Sequence, residues 1–177
     1  KDAFARYGMK DYVVIDKGGL KIAVFGVFGE DSLACAPTCV LKFQDITQAA
    51  QATVKEIQEK ESVDMILCVS HSGTDPDSSK SEDELLAKAV PEIDLIVSGH
   101  SHTSLSQPIQ YDNTYIVSCG SYGRNLGALT MSRRDDGRWN MDAYELIPVT
   151  EDLPPHEATQ EKIDSLMEKV DSGYLAP

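Results

Sequence analysis

Two apolar runs in this chain break into histidine at their carboxyl ends. Met65-Ile66-Leu67-Cys68-Val69-Ser70 runs into His71, and Leu95-Ile96-Val97-Ser98-Gly99 runs into His100 and His102. Runs of this length without polar alternation are strands covered on both faces, as in the parallel sheet of an open α/β fold. Such sheets carry their sites at the carboxyl rim of the strands. Three of the four histidines therefore fall where a site would form, and the fourth, His156, lies in a distant Pro-rich segment.

Neutral imidazole offers a nitrogen lone pair near pH 7, so rim histidines are candidate metal ligands. In Gly99-His100-Ser101-His102 the two rings are two residues apart. An extended backbone would point both to one side, whereas a loop leaving a strand lets them reach neighbouring ions. Gly99 allows a sharp turn and a close approach to a ligand. The plainer alternative is three loop histidines bonded to water or carbonyls.

The rest of the chain supports an α/β organisation. Residues 11–16 and 21–28 read as a hairpin about Lys17-Gly18-Gly19. Residues 30–44, with Pro37, read as a loop. Asp45 is an N-cap for a helix whose apolar stripe is Ile46, Ala50, Val54 and Ile57. A polar loop over 74–82 leads to a short helix ending at Pro91. Two further hairpins follow, 109–118 about Asp112-Asn113-Thr114 and 126–146 about Asp135-Asp136-Gly137. Trp139 reads as packing, Arg124 as a turn residue, and Asp64 and Asp94 as caps or surface charges. Beyond 150, an acidic, Pro-rich stretch gives way to an amphipathic helix with Ile163, Leu166, Met167 and Val170.

With 177 residues the chain has one domain's worth of length, and its longest apolar runs are far below the ~20 residues of a membrane span. The net charge of −13 argues against a nucleic-acid polymer as partner, since polyanions are bound by Lys and Arg clusters. A nucleotide substrate stays open, because divalent ions invert the local charge at a phosphate site. Cys68 and Cys119 read as buried thiols, while Cys35 and Cys39 read as free thiols or a small disulfide.

The stretches "VDMILCVSHSG" and "IDLIVSGHSHT", with "KIAVFGVFGED", "DITQAAQATVKEIQEK" and "SCGSYGRNLGALTMS" in that order, resemble the calcineurin-like metallophosphoesterases. Within them, the resemblance is to the secreted 5′-nucleotidase and 2′,3′-cyclic-nucleotide phosphodiesterase branch, which includes UDP-sugar hydrolase-like members. It runs from about Tyr12 to Pro148. The family's Asp-x-His, Gly-Asp-x-x-Asp and Gly-Asn-His motifs do not occur here. The chain thus looks like the C-terminal half of the catalytic domain, residues 1–149, with a linker helix over 150–177 toward a further nucleotide-binding domain. The implied fold is half of a four-layer α/β/β/α sandwich, a mixed sheet with flanking helices.

The resemblance implies a metal-dependent hydrolase acting on nucleotides or other phosphate esters, with two divalent ions (Zn, Mn, Fe or Co) in the parent protein. His71 and His100 would serve one ion and His102 the other. It places the general-acid histidine outside this chain, so no catalytic residue is expected here and the substrate contacts are not assigned. On this chain alone at most one weakly held ion is expected, with no turnover and self-association through uncovered surface. An extracellular, cell-surface or periplasmic setting is implied. The competing readings are a non-catalytic α/β module whose histidines hold no metal, and mononuclear zinc binding without catalysis.

Overall fold

The computed structural model describes residue 4 and residues 6–174, so the extreme ends of the expected segments 1–149 and 150–177 lie outside the described residues. Strands β1 (Tyr12–Lys17), β2 (Leu20–Phe28), β3 (Met65–His71), β4 (Leu95–Ser98), β5 (Ile109–Tyr111) and β6 (Thr114–Val117) form one sheet, in the order β1-β2-β3-β4-β6-β5. The inner four run parallel, and β1 and β5 close the edges antiparallel as hairpin partners. Strands β7 (Asn125–Arg133) and β8 (Trp139–Pro148) pair separately. The mixed sheet with flanking helices is thus the observed architecture.

Alternation along the strands divides the sheet into two faces. Phe25, Cys68, Ile96 and Ile116 stand in register across β2, β3, β4 and β6 and point to one face. There they meet Ala50, Val54 and Ile57 of α2 (Ile46–Lys60) and Leu86 and Ala87 of α3 (Glu82–Ala89). Burial among these apolar groups raises the pKa of the Cys68 thiol. Asp45 caps α2, its Oδ1 accepting the Gln48 amide at 2.8 Å.

The opposite face is covered at one end only. Leu95, Tyr115 and Val117 pack with Leu67 against Met131, Met141 and Tyr144 of the β7–β8 hairpin. Trp139 is buried at the hairpin's base, its indole N–H donating to the Asp64 carbonyl at 2.8 Å. Over β1 to β3 and the carboxyl end of β4 the face is open, with Val13, Ile15, Val69 and Val97 between 38% and 49% exposed.

Asp64 and Asp94 join strands at their amino ends. Asp64 accepts the Lys21 amide at 3.0 Å, the largest of the interactions that hold its carboxyl below the usual range, and it also takes Arg133 Nη1 at 2.5 Å. Asp94 accepts the Ile66 amide at 2.8 Å.

Two expectations are corrected. Residues Glu30–Ala34 form a short helix, α1, where a loop was expected; Glu30 and Asp31 favour its first turn. Cys119 is exposed, because it lies past the end of β6 in an isolated bridge with Ser104. The amphipathic helix α4 (Glu157–Lys169) forms, but Ile163, Leu166 and Met167 are all exposed. Cys35 and Cys39 are free thiols, and His156 is exposed at the start of α4.

Candidate metal centre at the strand ends

The parallel register of β2, β3 and β4 sets the geometry. Phe28 is the partner of His71, and Ser70 of Ser98, so β4 ends one residue short of His71's level and Gly99 begins the turn. The Gly99 amide donates to the Ser70 carbonyl at 2.9 Å. A Cβ on Gly99 would lie 3.2 Å from that carbonyl and 3.4 Å from His71 Nδ1, so glycine lets β4 exit this close to the ring without its neighbours giving way.

His71 and His100 are brought together, their ring centroids 5.0 Å apart and edge to face. Phe28 stacks on the far side of His71 at 5.8 Å and 13°. His102 packs edge to face against Tyr122, with centroids 5.3 Å apart. The backbone departs from common conformations here, with φ at +76° for His100, +55° for His102 and +59° for Tyr122. Non-glycine residues in the left-handed region cost about 1–3 kcal/mol each and cluster where geometry is functional.

Two supports were not foreseen from sequence. Asp31 Oδ2 lies 2.9 Å from His100 Nε2. Asp83 is fully buried beneath the strand ends, accepting the Ser70 hydroxyl at 2.5 Å and donating its own amide to the Gly73 carbonyl at 3.1 Å. Ser70 Oγ in turn accepts the Ser72 amide at 3.1 Å. Burial drives the Asp83 carboxyl above the usual carboxylate range, and the hydrogen bond from Ser70 only partly opposes that. Helical periodicity would mark an acid on the inner face of α3 as anomalous, which is the one signal in the sequence that could have pointed to it.

Imidazole donors suit borderline transition metals, and the strained turn with its glycine exit presents His71 and His100 to a common space. Among the described residues, no group of three or more His, Cys, Asp and Glu side chains is disposed to hold an ion. His71 and His100 therefore fit part of a ligand shell.

Comparisons with known proteins agree with this architecture. No family model matches the chain. It is 31% identical over 170 residues to the trifunctional nucleotide phosphoesterase protein YfkN of Bacillus subtilis, a match covering 93% of this chain and 11% of that protein. It is 30% identical to the 5′-nucleotidase of Vibrio cholerae, covering 78% of this chain and 30% of the relative. Its fold matches the sulfate thiohydrolase SoxB of Thermus thermophilus with a TM-score of 0.73 at 20% identity, over 94% of this chain and 29% of that one. The chain thus spans less than a third of the length of each of these proteins. Sequence and fold together show that the chain belongs to the 5′-nucleotidase family.

Proposed function

We propose that the protein containing this chain hydrolyses phosphate esters of nucleotides at a binuclear centre of divalent ions. In this reading the chain contributes His71 and His100 to one ion and His102 to the other. The observation that carries the reading is the strained Gly-His-Ser-His turn, set beside His71 at the ends of two parallel strands in a chain similar to nucleotide phosphoesterases. When bound, such ions neutralise charge on the phosphoryl oxygens and lower the pKa of water.

This chain's own part is orientation. The Phe28 ring stacks on one side of His71 and Tyr122 packs edge to face on His102, so each imidazole has an aromatic neighbour that limits its rotation. Side chains alternate along β2 and β3, so Phe28 and His71 share a face with Val69, the face left open over β1 to β3. A second layer seated on that face would bring its ligands to the same rim. Residues 1–149 are then the C-terminal half of a four-layer catalytic domain, and residues 150–177 lead toward a further domain. The remaining ligands and the general acid come from that second layer. No helix among the described residues is long and apolar enough to cross a membrane, and the reading places the protein outside the cell, on its surface or in the periplasm.

The test is metal content and phosphate release from AMP by the full-length protein. Two transition-metal equivalents are expected. His71→Ala, His100→Ala and His102→Ala should each lower turnover by about 10²-fold or more, because charge stabilisation carries much of such a reaction. His156→Ala should leave turnover unchanged. Equal activity in all four variants, or no bound metal, would leave a non-catalytic module.

A further inference from the structure

We propose that Asp31 is a positioning residue that accepts a hydrogen bond from Nε2–H of His100 and so leaves Nδ1 as the atom presented to a metal ion. The inference rests on the reading of His100 as a ligand. Neutral imidazole carries one N–H and one lone pair, and the partner of the N–H decides which nitrogen is free. Asp31 Oδ2 lies 2.9 Å from Nε2, and a carboxylate oxygen is met best by a ring nitrogen that carries its proton, so this contact favours the Nε2–H tautomer. Metal-binding histidines commonly give their second ring N–H to such a carboxylate, which sets ring orientation and raises basicity.

The contact is held by the backbone around it. The Gly29 amide and the Ser32 hydroxyl both donate to the His71 carbonyl, at 3.1 and 2.5 Å. The Glu30 amide donates to Glu82 Oε1 at 2.8 Å. Helix α1 is therefore tied to β3 on either side of Asp31 in sequence, so the Asp31 carboxylate and the His71 ring keep a common frame. A Cβ on Gly29 would come within 2.7 Å of Ser72 Cα, so glycine is what lets α1 sit this near. The Asp31 side chain is 78% exposed, whereas that of His100 is 16% exposed. Truncating Asp31 consequently removes no core packing, which separates orientation from folding.

The experiment compares Asp31→Ala, Asp31→Asn and His100→Ala in the full-length protein. Zinc affinity is measured by competition with a chromophoric chelator, and the melting temperature of the metal-free protein is measured alongside. Asp31→Ala is expected to weaken zinc binding by about 10–100-fold, the usual effect of removing a carboxylate behind a ligand histidine, with the metal-free melting temperature unchanged. Asp31→Asn keeps an oxygen acceptor and should recover much of the affinity. His100→Ala should lose one zinc equivalent. Normal zinc affinity in Asp31→Ala, with an equivalent lost in His100→Ala, would overturn the positioning role alone. Unchanged zinc binding in His100→Ala would overturn the ligand assignment and the positioning role with it. A metal-free melting temperature lowered by Asp31→Ala would assign the residue to folding instead.

Discussion

The Asp83 carboxylate sits directly under Ser70, accepting its hydroxyl at 2.5 Å one residue before His71. Through Ser70 Oγ the same contact reaches the Ser72 amide. A single buried acid thus fastens the turn that carries His71 to the helix beneath it. Asp83→Ala should cost about 1–3 kcal/mol, because it leaves the buried Ser70 hydroxyl without its acceptor. Chemical denaturation of the chain measures the loss.

The same residue makes stability depend on pH. Burial raises its folded-state pKa above the unfolded value, so the native state holds more protons between the two. Stability then falls as pH rises from about 4, the unfolded value, through the folded pKa. Asp94 is raised for the same reason and contributes in the same direction. The stability of the wild type relative to Asp83→Asn should therefore decline across that window and level off above it. Paired melts over a pH series check this, and a flat difference would contradict it.

Gly99→Val should damage the site more than the fold. The added Cβ meets the Ser70 carbonyl and His71 Nδ1, and β-branching stiffens the exit. Metal stoichiometry should fall in the full-length protein while the melting temperature shifts little. Normal stoichiometry with a large thermal loss would make Gly99 a packing residue only.

This chain alone should not release phosphate from AMP with added Zn²⁺, Mn²⁺ or Co²⁺. Among the described residues no group of three or more His, Cys, Asp and Glu side chains is disposed to hold an ion, and a two-metal hydrolytic centre needs more ligands than that. The His100→Ala variant serves as the contamination control. Metal-dependent turnover lost in that variant would show a complete site in these residues.

The isolated chain should also self-associate. Val13, Ile15, Val69 and Val97 form an exposed apolar band on the open sheet face. Sedimentation should show dimers or larger species, and Val69→Lys should shift them toward monomer. A monomeric wild type would mean that the band is tolerated in water.

Much of this architecture is legible in the sequence because burial imposes a period. The runs at 65–70 and 95–98 stand in mid-sheet, and Ala50, Val54 and Ile57 line the inner side of α2 as their spacing requires. The histidine positions follow, since each is set by where a strand stops. Contacts closed across sequence were not legible. Asp31 and His100 are 69 residues apart, and no local pattern links them. Helix α1 is a single short turn, too brief to show a helical period in sequence and followed by Pro37 and the loop cysteines, and its bonds to His71 and Glu82 join residues far off in the chain. Cys119 shows the converse, an apolar thiol placed outside because its strand has already ended.

The left-handed backbone at His100 and His102 has a consequence for anyone stabilising this protein. Glycine adopts those angles freely, so His102→Gly would relax the turn where His102→Ala would not. A heat-tolerance screen alone would therefore favour erasing the imidazoles of this loop. Under the proposed ligand role, directed evolution for robustness has to hold residues 99–102 fixed, or it will improve the scaffold by dismantling what the scaffold supports.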